Sequence, residues 1–119
     1  MDERFREVVV RTKELGKTVV EALDHTQRLI NEGQFEQSVY MFEEAMKGYA
    51  QIELAIKPSA PAELIVHFDQ IVKVANQVVA AFSDQAFEKV KEIMQLSMIP
   101  AFKRLDAGIS EVYQEYLTH

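Results

Sequence analysis

The chain has no cysteine. That excludes a disulfide framework, a thiolate metal site and a cysteine nucleophile. Its 119 residues include only four glycines and three prolines, which leaves little material for turns, so the elements must be few and long. The glycines stand singly at 16, 33, 48 and 108, and a glycine-rich phosphate loop is therefore absent. None of Ser38, Ser59, Ser83, Ser97 and Ser110 lies in a Gly-x-Ser-x-Gly elbow, so serine nucleophilic catalysis has no support. Thirteen basic residues face 19 acidic ones, for a net charge of −6. A phosphate-neutralising surface is thereby disfavoured, and with it nucleic acid or an anionic membrane as partner. No uninterrupted apolar run reaches the length of a membrane span, and the opening MDERFREVVV lacks the apolar core of a signal peptide. The expectation is a cytoplasmic protein that is not an enzyme and carries no cofactor.

What remains is ordinary globular material, 48% hydrophobic and 27% charged, enough for one core and one domain over residues 1–119. The stretch that organises the rest is residues 62–82, AELIVHFDQIVKVANQVVAAF, in which 14 of 21 residues are apolar. Its polar residues Asp69, Gln70, Lys73, Asn76 and Gln77 fall on one narrow stripe of an α-helix. A helix so apolar must be covered on two or more sides. β-Branched residues lower its helix propensity, but the 3.6-residue period over the whole stretch decides for helix over strand.

Before it, Phe5, Val8, Thr12, Leu15, Val19, Ala22, Thr26 and Leu29 keep a 3-4 spacing that predicts a long helix over about residues 3–32. Gly16 within it marks a close helix crossing. Gly33 is placed to end that helix in the left-handed conformation. A second helix follows at once, with Phe35, Val39, Phe42, Met46, Tyr49, Ile52 and Ile56 on one face, and the short connection makes the pair a helical hairpin. The segment GQFEQSVYMFEEAM, residues 33–46, resembles the turn and second helix of a tetratricopeptide repeat. It has no second copy at the 34-residue period of such repeats, so the resemblance implies a shared hairpin solution.

Lys57-Pro58-Ser59-Ala60-Pro61 is the clearest break, with Ser59 as the expected N-cap of the central helix. Ser83-Asp84 is the expected cap of a fourth helix reaching to about Leu117. Its stripe of Phe87, Val90, Met94, Met98, Phe102, Leu105, Ile109, Val112 and Tyr116 slips by one residue near Pro100, which predicts a kink there. The two short turns match faintly: Ile30-x4-Phe35-Glu36 and Phe82-x4-Phe87-Glu88 repeat. The expected fold is all-α, an up-down-up-down four-helix bundle with the fourth helix kinked at Pro100. Its core is expected to hold Phe5, Leu15, Val19, Leu23, Leu29, Phe35, Phe42, Met46, Leu64, Phe68, Ile71, Val78, Phe82, Phe87, Val90, Leu105 and Ile109.

Two functional readings follow. The leading one is protein–protein interaction, adaptor-like or chaperone-like, or self-association. Ile65, Val72 and Val79 form an apolar row beside the core stripe of the central helix, a surplus that suits a protein partner or a homodimer. In size, acidity and lack of cysteine the chain is similar to bacterial export and flagellar chaperones. The alternative is a metal or small-ligand site built from Glu21 and His25 on the first helix with Glu63 and His67 on the third. Its i, i+4 spacing departs from the Glu-x-x-His of di-iron bundles. His67 is the one ionisable side chain within the central helix's core stripe, where Thr12, Thr26 and Ser38 are its candidate bonding partners. Met41, Met46, Met94 and Met98 serve either as core fillers or as an adaptable groove.

Overall fold

The computed structural model describes residues 3–118, and all its regular elements are helical. They are α1 (Glu3–Asn31), α2 (Phe35–Ile56), a 3-10 turn (Lys57–Ser59), α3 (Ala62–Ser83), α4 (Phe87–Ile93), a π turn (Met94–Met98), α5 (Ile99–Val112) and α6 (Gln114–Leu117). The 29 residues of α1 extend about 43 Å, most of the molecule's 48 Å length. Its buried residues, Val9, Thr12, Gly16, Val19, Leu23, Thr26, Leu29 and Ile30, are the inner face of the 3-4 pattern. Backbone to backbone, α2 lies along α1, α3 lies against α4, the π turn and α5, and α1 also meets α5 and α6.

The two tight turns share one construction. After α1, Gly33 takes φ 75°; its N–H donates to Ile30 O, and Gln34 N–H donates to Leu29 O at 2.8 Å. After α3, Gln85 takes φ 56°; its N–H donates to Phe82 O, and Ala86 N–H to Ala81 O at 2.9 Å. Both are Schellman ends, with the left-handed residue letting two backbone donors turn back on the last carbonyls. Ser83 and Asp84 therefore finish α3 rather than cap the next helix. The residue before α4 is Ala86, which makes no side-chain cap.

From these turns the two hairpins repeat each other. A shift of 52 positions carries buried Thr12, Gly16, Val19, Thr26 and Leu29 onto buried Leu64, Phe68, Ile71, Val78 and Ala81. The same shift carries Ser38 and Phe42 onto Val90 and Met94. Beyond Met94 the shift becomes 53: Ala45, Gly48, Tyr49, Ile52 and Ile56 correspond to Met98, Ala101, Phe102, Leu105 and Ile109, all buried. The extra residue falls within the π turn, the form an α-helix takes around a one-residue insertion.

This relocates the expected kink. The irregularity spans Met94–Met98, and Pro100 sits in the first turn of α5. In a regular α-helix the ring of Pro100 would strike the carbonyl of residue 96, and its missing N–H would orphan that carbonyl. Ile99 N–H instead reaches back five residues to Met94 O, and the wider turn absorbs both the proline and the extra residue. Two further expectations are corrected. Ser59 ends the 3-10 turn, and Pro61 holds the N-cap position of α3 without a side-chain bond. Phe35 is 40% exposed, because its ring lies flat on Phe87 at the end of the molecule rather than inside the core.

Candidate functional site

The repeat makes two seams comparable, and they differ. Between α1 and α5 the backbones close up at Gly16, where an added Cβ would lie 2.8 Å from Asp106 Oδ1. There Lys13 Nζ pairs with Asp106 Oδ2 at 2.7 Å and donates to Asp106 O at 3.1 Å. The equivalent seam lies between α2 and α3. At the place of Gly16 it carries Phe68, fully buried, and rings hold the helices apart: Tyr49 against Phe68 at 6.2 Å and Phe42 against Phe82 at 5.8 Å between centroids. Close approach needs a small residue at the crossing, and an aromatic ring prevents it.

The Tyr49 hydroxyl ties this wider seam together. It donates to Glu53 Oε2 at 2.7 Å and lies 3.2 Å from Phe68 O as a second acceptor. Burial, then the hydrogen bond to Glu53 and the charges of Glu53 and Asp69, push its pKa well above the ordinary tyrosine value.

Beside Phe42 an open hollow of about 490 Å³ is lined by that ring and by Glu43, Met46, Lys47, Ala50 and Val79. Val79 is 53% and Val72 42% exposed, and Ile65 is half-buried. Of the row picked out by periodicity, Val79 lines the hollow, and Val72 and Ile65 continue the same helix face at i−7 and i−14. Its counterparts 52 positions earlier, Lys13, Val20 and Gln27, are all half-buried. Met46 was among the methionines named for an adaptable groove, whereas the contributions of Ala50 and Glu43 were not legible in the sequence. A helical stripe says which residues share a face, but not which neighbour that face meets or how closely.

The polar candidates are more dispersed. Glu21 is exposed and His25 half-buried on α1; Glu63 is exposed and His67 half-buried on α3. His67 and Glu63 line a separate hollow of about 370 Å³ with Leu64, Gly108, Glu111 and Val112. Among the described residues no group of three or more His, Asp or Glu is placed to hold a metal ion, so the two Glu/His pairs are not gathered into one site. Thr26 and Ser38, offered as partners for His67, donate to Ala22 O and Phe35 O instead, within or beside their own helices. Met94 and Met98 are fully buried core, while Met46 lies on the open seam. His119 lies outside the described residues.

Among the described residues no helix is long and apolar enough to cross a membrane. Residues 7–107 match a protein family described as a domain of unknown function, DUF8042. The chain belongs to that family. Neither the curated proteins nor the solved structures show a significant match to it.

Proposed function

We propose that this member of the DUF8042 family works without catalysis, as an interaction protein that receives a helix of a partner protein in the α2–α3 seam. The observation that carries the reading is the asymmetry of the two seams. The row Lys13, Val20 and Gln27 is half-buried, whereas Val72 and Val79 are exposed, and Val79 borders an apolar hollow. An apolar groove between two helices, with anchors spaced at i and i+7, is the geometry that accepts an amphipathic helix. The architecture proposed with it is an up-down-up-down bundle, with α4, the π turn and α5 together as its fourth rod. This rests on the two hairpin turns and on the packing of α1 against α5.

The test is site-directed photo-crosslinking in the full-length protein. A photoreactive residue at Val79 is expected to yield an adduct with a defined protein, whereas one at Tyr40, an exposed residue of α2, is not. The purified partner should then bind the parent chain and lose binding to Val72→Glu, with thermal stability unchanged because Val72 is exposed. An adduct equally strong at both positions, or binding indifferent to Val72→Glu, overturns the reading.

A further inference from the structure

The seam also states what charge its occupant must bring. In the closed seam, the cation Lys13 on α1 meets the carboxylate of Asp106 on α5 at 2.7 Å. Transferred to the open seam, Lys13 becomes Ile65 and Asp106 becomes Glu53. The carboxylate is kept and its cation is gone. Among the described residues, the Glu53 carboxylate accepts from the Tyr49 hydroxyl and forms no ion pair, and Glu43, which lines the hollow, forms none either. Lys47, which also lines the hollow, pairs with Glu44 at 3.1 Å, and Lys57 pairs with Asp69 at 3.8 Å. Carboxylates flanking apolar surface attract cations and repel like charge, and the effect is stronger where water is displaced.

We infer that the occupant of the α2–α3 seam is a cationic amphipathic helix of another protein, carrying an apolar stripe that covers Ile65, Val72 and Val79 and flanking Lys or Arg side chains that meet Glu43 and Glu53. This rests on the seam being a docking groove, and it commits the groove to one chemistry. From Ile65 to Val79 the row rises about 21 Å, so the matching segment is about four turns long. A second copy of the chain is the wrong occupant. It would bring the same carboxylates to the same rim, on a molecule of net charge −6.

The experiment uses the full chain and three labelled peptides of 18 residues with one Leu stripe at i, i+3/i+4 and i+7, flanked by Lys, by Gln or by Glu. Binding is read by fluorescence anisotropy at low and high salt. The Lys peptide is expected to bind tightest, by about tenfold over the Gln peptide, and to weaken with salt. Glu43→Gln with Glu53→Gln should remove most of that preference, while Glu88→Gln with Glu92→Gln, on α4, should leave it. Val72→Asn with Val79→Asn should abolish binding of all three.

If the three peptides bind equally, or Glu43→Gln with Glu53→Gln changes nothing, the charge inference fails while the groove reading stands. If no peptide binds, or binding survives Val72→Asn with Val79→Asn, the groove reading itself fails. Concentration-dependent dimerisation that these two asparagines abolish would assign the seam to a second copy and overturn the inference.

Discussion

Phe35 and Phe87 occupy the same position after the two turns, 52 residues apart, and their rings lie nearly parallel with centroids 4.0 Å apart. Each is the first residue of its helix, so the repeated element touches its own repeat. Phe82, just before the second turn, adds an edge contact to Phe87 at 6.2 Å. Phe35→Ala is expected to cost about 1–2 kcal/mol, less than a core phenylalanine because the ring is partly solvated. A double-mutant cycle with Phe87→Ala should return a coupling of about 0.5–1.5 kcal/mol. Urea denaturation of the four proteins measures it.

The two buried helix-crossing glycines of the first hairpin differ in what stands before them. A Cβ on Gly48 would meet Val19 Cγ2 at 2.7 Å, a stiff branched side chain, whereas on Gly16 it would meet a carboxylate oxygen of Asp106. Gly48→Ala is expected to destabilise by about 1–3 kcal/mol despite the better helix propensity of alanine. Gly16→Ala should cost less in an Asp106→Ala background than in the parent, since the obstructing oxygen is then absent. Additive losses in thermal or urea denaturation would contradict this.

The π turn makes a prediction about deletion. Removing Gln95, an exposed residue within it, together with Pro100→Ala, should yield a continuous α-helix with the core register kept on both sides. Stability within about 1 kcal/mol of the parent is expected. Deleting Lys103, inside regular α5, rotates everything after it by about 100° and takes Leu105 and Ile109 out of the core. That variant should fail to fold cooperatively. Circular dichroism through a thermal melt distinguishes the two.

Tyr49 supplies a pH dependence. Its folded pKa is raised by burial and by Glu53, so the folded state holds the phenolic proton after the unfolded chain has released it. Below the unfolded value of about 10, both states are protonated and the stability is fully present. Above it, the folded state binds more protons and stability falls by up to about 1.4 kcal/mol per pH unit for this group. Tyr49→Phe should lose about 1 kcal/mol at neutral pH, from the missing hydrogen bonds, and show a shallower decline between pH 10 and 12. Urea midpoints measured across that range for both proteins decide it.

Much of this molecule is local, and what is local was legible. Periodicity marked the three long helices to within about a residue or two, because burying an apolar stripe demands the 3.6-residue spacing wherever the partner lies. Gly33 announced its turn through its φ freedom, and the one-residue slip in the fourth stripe foretold an irregularity. The row Ile65, Val72 and Val79 was visible as surplus apolar surface. Gln85 gave no such signal, since a non-glycine residue takes a left-handed conformation only when the carbonyls around it hold it there.

Tertiary structure alone decided the rest. Whether the slip became a kink at Pro100 or a π turn five residues long depended on keeping Met94, Met98 and Phe102 on the same buried face. Whether the surplus row was covered depended on the residue at each crossing: Gly16 lets α1 and α5 close, and Phe68 holds α2 and α3 apart. Side-chain volume at a contact sets the distance between two helices, and no pattern within one helix records what stands opposite.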